Sequence, residues 1–216
     1  MPRPANRILV GAFLCVAHAC GGTAPRTPPE PAELSLAGLA RQHIAVLPAY
    51  SVRVMPGLSW TGAIGRSADV QTTLDADILS ALDERGLRKT WVFPDQLTAS
   101  YKRNPSVAAD PYTLALEPLR APALRVEQRL VEPLASQVRT LVALHGDTRF
   151  VLAPVELRLE KAGDAGGRGV LRLVLVDARM SSVRWVGEIS SDTAATFGPA
   201  ITASIAARLA NAIAAP

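Results

Sequence analysis

Apolar and polar positions alternate along this chain with two periods. Gln42-His43-Ile44-Ala45-Val46-Leu47-Pro48 is a short apolar run stopped by proline, which predicts a strand buried on both faces. In SADVQTTLDADILSALDERGLRK, Val70, Leu74, Ile78 and Leu82 recur every four residues, and Leu79 and Ala81 widen the stripe. Ser67 or Asp69 can cap the start and Gly86 suits a left-handed stop, so this segment predicts a helix. Thr90-Trp91-Val92-Phe93 is β-branched and aromatic and ends at Pro94, predicting a second strand. Strand, helix, strand in that order predicts a right-handed crossover with parallel strands.

Residues 95–131 hold Pro105, Pro111, Pro118 and Pro122. Asp95 can cap a short helix through Tyr101, but the remainder has no period and predicts irregular chain that wraps the core or a partner. Leu134, Val138, Leu141 and Val142 then mark a helix, with Pro133 in its first turn and Gly146 after its end. Three strands follow. From Phe150 to Leu159, Val155, Leu157 and Leu159 alternate with Glu156, Arg158 and Glu160, with Pro154 at a bulge or edge. GDAGGRG turns the chain, Val170 to Val176 returns it, and Val183 to Ser190 comes back across a turn at 179–182. Short connections make these strands antiparallel. Ile201, Ile205, Leu209 and Ile213, with Pro199 in the first turn, predict a closing helix. The order βαβαβββα predicts a single α/β domain over 41–216, of the mixed-sheet α+β type, with helices packed on five strands.

The amino terminus has a different profile. Arg3 and Arg7 precede the apolar run from Ile8 to Ala17, a basic region followed by a short hydrophobic one. About ten residues make a helix of roughly 15 Å, half of a ~30 Å hydrocarbon core, too short for a stable span. Small residues and Cys20 follow, then a proline-rich tract from Pro25 to Pro31. Residues 1–19 are thus expected to be a signal peptide and 20–40 a tether. Cutting after Ala17-His18-Ala19 would leave Cys20 as a free thiol. The same stretch resembles a bacterial lipoprotein signal, in which the cysteine is lipidated and becomes the first residue. It departs from that pattern at Ala17, where leucine is usual, and at His18, where a small residue is. The cysteine count favours lipidation of Cys20: Cys15 leaves with the signal, and a lone thiol in an oxidising compartment is a liability. Two or three acyl chains suffice for stable attachment. Gly21 lacks the acidic character of an inner-membrane retention signal, so the resemblance implies the periplasmic face of the outer membrane.

Charge and composition narrow the rest. The 216 residues carry 23 Lys+Arg against 19 Asp+Glu; without Arg3 and Arg7 the balance is 21 against 19, net +2. No basic run marks a nucleic-acid surface, and no nucleic-acid partner is expected. Apolar content of 49% with 19% charged argues for a packed domain.

Two segments carry a family resemblance. HIAVLP leads by a loop into a helix ending ALDERG, and LVLVDARMSSVRWVGE follows near the end of the chain. Both are similar to the TolB amino-terminal domain and to outer-membrane lipoproteins such as the curli-secretion lipoprotein and the lipoprotein activators of penicillin-binding proteins. In the second segment Asp177, Ala178, Trp185 and Gly187 match a hairpin in which Asp-Ala ends one strand and Trp-x-Gly lies on the next. Met180 and Ser181 stand where that pattern has Thr-Gly, which makes a turn with φ > 0 costlier.

No catalytic or metal constellation emerges, and no cofactor is expected. His43 and His145 lack ligand-spaced partners; His145 falls in the last turn of a helix, where an imidazolium suits the dipole. Asp75 and Asp77 diverge by about 200° on their helix. Trp185 shares a strand face with Val183 and Ile189, as a core residue does. The loop 50–67 follows a strand end and carries Met55, Leu58, Trp60 and Ile64. Two readings of these four side chains stand: a partner-binding patch, or a loop folded over its own core. The whole is read as a membrane-tethered periplasmic lipoprotein, a non-enzymatic adaptor or assembly factor that binds envelope proteins through the 50–67 loop or the 95–131 segment. Alternatives are an outer-membrane secretion-channel subunit, a soluble periplasmic protein and an envelope hydrolase; the oligomeric state is open.

Overall fold

The computed structural model describes residues 36–60, 62–163 and 166–215. Cys20 and the expected signal peptide lie outside them. Residues Glu33–Pro216 form one compact unit. Its strands are β1 (Ile44–Val46), β2 (Val52–Val54), β3 (Phe150–Ala162), β4 (Gly166–Asp177) and β5 (Ser182–Ser190), and its helices α1 (Ser67–Asp83), α2 (Pro94–Arg103), α3 (Leu134–Ala143) and α4 (Pro199–Ala214).

The sheet is mixed and five-stranded, ordered β1-β3-β4-β5. β1 and β2 lie end to end along one side of β3, both parallel to it, with Ile44 beside Phe150 and Val52 beside Leu157. β3, β4 and β5 form an antiparallel meander. The register of β3 shifts between Pro154 and Glu156, the bulge that Pro154 foretells, since proline brings no N–H to a ladder.

The fifth strand is not the one expected. Thr90–Phe93 contributes one parallel bridge, Val92 beside Ala45, with Val46 N–H donating to Val92 O at 2.8 Å and Val92 N–H to Ile44 O at 2.8 Å. The tight turn Leu87–Lys89 precedes it and Pro94 starts α2 at once, so no length remains for a ladder. Val52-Arg53-Val54, inside the 50–67 loop, supplies the strand instead; three residues are too few to show a period.

Each face of the sheet has its own core. On one, α1 and α4 press Leu74, Ile78, Leu82, Ile205 and Leu209 onto Leu157, Leu159, Leu171 and Leu173. Each such burial contributes about 1.5–3 kcal/mol. On the other, α2, α3 and the segment between them cover Val151, Ala153, Val155, Val174 and Val176 with Leu97, Leu114, Leu116, Leu119 and Val138. The 95–131 segment therefore wraps the domain's own core. Leu36–Arg41, expected within the tether, forms a short turn of helix whose Leu39 is buried in the first core.

Candidate functional site

In the loop between β2 and α1, three of the four apolar residues are buried. Leu58, Trp60 and Ile64 are 7%, 2% and 7% exposed and belong to the core beneath α1 and α4. Trp60 donates from Nε1 to Ala195 O at 2.9 Å, and its ring meets Phe197 with centroids 6.0 Å apart. Only Met55 stays partly exposed. The loop lies over its own core because β4 lets it in: a Cβ on Gly167 would stand 2.5 Å from Leu58 Cδ1 and 2.8 Å from Trp60 Cζ2. The glycines of GDAGGRG thus serve packing as well as turning. A Cβ on Gly169 would press on Ile201 and Ile205 of α4 at 2.9 and 3.0 Å.

The connection from β1 to β2 is clamped to α1 by two side chains one turn apart. Gln71 donates to the carbonyls of Ala49 and Tyr50 at 3.0 and 2.6 Å, and Asp75 Oδ1 accepts Ala49 N–H at 2.7 Å. Asp75 Oδ2 is buried without a partner among the described residues. Burial pushes this carboxyl up from 3.8 to about 6, against the opposing pull of the Ala49 amide. Asp77 Oδ2 is likewise buried without a partner among the described residues.

Beyond the second core, the same sheet face turns ionic. Glu156 on β3 faces Arg172 on β4, which faces Glu188 on β5, and Arg53 on β2 stands beside Arg158 on β3. Arg158 binds both oxygens of Glu188 at 2.9 and 2.8 Å. Arg120, from the wrapping segment, holds Glu156 at 2.6 Å and Glu117 at 2.8 Å. Arg53, Glu117, Arg120, Glu156, Arg158 and Arg172 border an open groove of about 460 Å³. Arg120 and Arg158 are paired with glutamates there, whereas, among the described residues, Arg53 has no ion-pair partner and Arg172 Nε is buried without a hydrogen-bond partner.

The β4–β5 turn explains the Asp-Ala and Trp-x-Gly pairs. Asp177 is buried and accepts from Arg149 Nε and Nη2 at 2.9 and 2.5 Å and from Met180 N–H at 3.0 Å. Burial pushes the carboxyl up, yet the Arg149 and Met180 contacts outweigh it and leave it below its ordinary value. Ser181 takes the left-handed conformation, φ 48°, where the resembled pattern has glycine. Its hydroxyl accepts from Arg139 Nη1 at 2.7 Å, which offsets the backbone cost. The Trp185 ring lies on Gly187, where a Cβ would meet Cζ2 at 2.1 Å. Trp185 packs at the margin of the first core, partly buried.

Among the described residues no group of His, Cys, Asp and Glu is placed to hold a metal. No described helix is long and apolar enough to cross a membrane. His43 is exposed, and His145 follows the end of α3 with its pKa lowered by burial and by Arg103, the opposite of the imidazolium its position suggests.

One backbone feature has no sequence signature. β5 is the outer strand of the meander. Residues 127–130 cover only its first turn, through Val183 N–H to Gln128 O at 2.9 Å, Glu127 N–H to Val183 O at 2.7 Å and Leu130 N–H to Ser181 O at 2.8 Å. From Arg184 to Ser190 no other described backbone pairs with its outer side.

No protein-family model matches the chain. No curated protein matches it either. Among solved structures it is similar to the LpoB C-terminal domain from Salmonella enterica, at 12% identity over 72% of this chain and 94% of that one, with a TM-score of 0.34. It is also similar to the PelC dodecamer from Paraburkholderia phytofirmans, at 12% identity over 82% of this chain and 91% of that one, with a TM-score of 0.37.

Proposed function

We propose that this chain is a lipid-anchored protein of the bacterial envelope, held at the periplasmic face of the outer membrane through Cys20, whose domain binds other envelope proteins and catalyses no reaction. The observation that carries this reading is the order of Arg3 and Arg7, a ten-residue apolar run, small residues, Cys20 and a proline-rich tract ahead of a compact unit that begins at Glu33. A basic start, a run too short to span and a single retained cysteine are what a processed and acylated terminus requires. The TolB-like and curli-secretion-lipoprotein-like resemblance belongs to the same reading. A partner meets the 50–67 loop only at Met55 and its exposed polar neighbours, because Leu58, Trp60 and Ile64 are occupied by the core. Acyl chains on the Cys20 sulfur replace a thiol with a hydrocarbon anchor, and the tract 25–31 lets the domain stand off the bilayer.

Expression in a bacterial host with mass spectrometry of the mature amino terminus tests it. The expected terminus is Cys20 bearing a diacylglyceryl group, with the protein in the detergent phase and Cys20→Ala moving it to the soluble fraction. A bare thiol at residue 20, or wild-type protein released without detergent, overturns the anchor.

A further inference from the structure

The ionic end of the sheet face holds more guanidinium than carboxylate, and we infer that the groove there binds a small anionic molecule through a carboxylate or phosphate group. Side-chain alternation along β2 supplies the first cation. Val52 and Val54 pack on the first core, so Arg53 projects from the opposite face, beside Arg158 in the β2–β3 register. Like charges side by side on adjacent strands repel. Arg158 is compensated by both oxygens of Glu188, at 2.9 and 2.8 Å. Arg53 is exposed, and no carboxylate among the described residues lies within ion-pair distance of it.

Arg172, its side chain 12% exposed, is the second guanidinium short of a counter-charge. Nη2 donates to Ala121 O at 2.9 Å, and Nε has no partner among the described residues. Glu188 Oε1 stands 3.9 Å from Nη1, beyond hydrogen-bond reach. A cation so far out of water without a close anion is costly. Against Arg53, Arg120, Arg158 and Arg172 stand three carboxylates, Glu117, Glu156 and Glu188, so the groove carries one positive charge in excess. Its volume of about 460 Å³ suits a small molecule, and Ala121 and Pro122 add apolar surface for the body of the ligand. Guanidinium forks match carboxylate and phosphate oxygens two at a time. The single excess charge fits one such group. A long polyanion is disfavoured, because Glu117 and Glu156 on the lining repel its further charges. Glu117 is 66% exposed and holds Arg120 from three residues away, an ion pair of little net worth that an incoming anion can displace.

NMR of the arginine Nε–H and backbone amide groups tests this on the processed chain with Cys20→Ser in place of any anchor, so the result does not depend on the fate of Cys20. Succinate and inorganic phosphate are titrated separately, with ionic strength held constant by chloride. The expected result is a saturable shift of Arg53, Arg120, Arg158 and Arg172 with at least one of the two, and the anion that saturates at lower concentration distinguishes carboxylate from phosphate. Arg53→Gln is expected to fold as the wild type and to bind about tenfold more weakly or worse, the worth of a hydrogen bond to an ionised group. Glu117→Gln removes the competing carboxylate and is expected to tighten binding about two- to fivefold, whereas Glu160→Gln, in the adjacent pair with Arg168, leaves it unchanged. Shifts that never saturate with either anion, saturation centred on other residues, or unchanged affinity in Arg53→Gln overturn the proposal.

Discussion

A buried carboxylate with one partner and one bare oxygen makes Asp75 the residue whose ionisation most directly opposes the fold. The folded protein holds the Asp75 proton up to about pH 6, whereas an unfolded chain releases it near 3.8. Its contribution is therefore fully present below the lower value and is lost as pH rises through the upper one, a change of about 2–3 kcal/mol. Asp75→Asn keeps an oxygen for the Ala49 amide and removes the titration. Urea unfolding at pH 4 and pH 7.5 is expected to show this variant gaining on the wild type at the higher pH only. An advantage that is equal at both pH values would sink the account. Ser181 shows the converse case, a residue in a conformation its side chain disfavours, kept there by a hydroxyl bound to Arg139.

At the scale of elements, glycine placement decides where the loop over the core can lie. Gly167→Ala is expected to lift residues 56–60 off β4, red-shift the fluorescence of Trp60 and cost about 1–3 kcal/mol. Gly38→Ala, with nothing within 4 Å of its Cβ, should leave both unchanged. Unaltered emission in Gly167→Ala would show that the loop packs differently. The long elements were legible from the chain alone: α1 and α4 carry strict four-residue periods because each buries one face on the sheet, and β3 and β4 read as strands by their long apolar runs, buried on both faces. β2 was not legible, since Val52-Arg53-Val54 is a strand only by virtue of Leu157–Leu159 beside it. Thr90–Phe93 reads as a strand by composition but is cut to one bridge by its neighbours. The burial of Leu58 and Trp60 was open in the sequence, because it depends on the missing side chain of Gly167, more than a hundred positions away. The free edge of β5 was invisible, as backbone groups leave no mark in side-chain order.

For the whole molecule, two ion pairs among the described residues tie the wrapping segment to the sheet, Arg120 with Glu156 on β3 and Glu127 with Arg184 on β5. Glu156 is 8% exposed and receives Arg120 from beyond α2, while Glu160, 26% exposed, pairs among the described residues with Arg168 on the adjacent strand. Glu156→Ala leaves Arg120, 25% exposed, with Glu117 as its remaining carboxylate and is expected to cost about 1–2 kcal/mol, against less than about 1 for Glu160→Ala. Equal losses in chemical denaturation would mean that the segment is held by its leucines alone. The topology also orders events in time. β2 has no strand partner, and β1 only its single bridge to Val92, until Phe150–Leu159 has been made, whereas β3, β4, β5 and α4 are neighbours in sequence. A chain still emerging from the ribosome, or threading through a translocation pore amino terminus first, cannot close its sheet prematurely. The carboxy-terminal meander is the seed on which the earlier half must wait to condense.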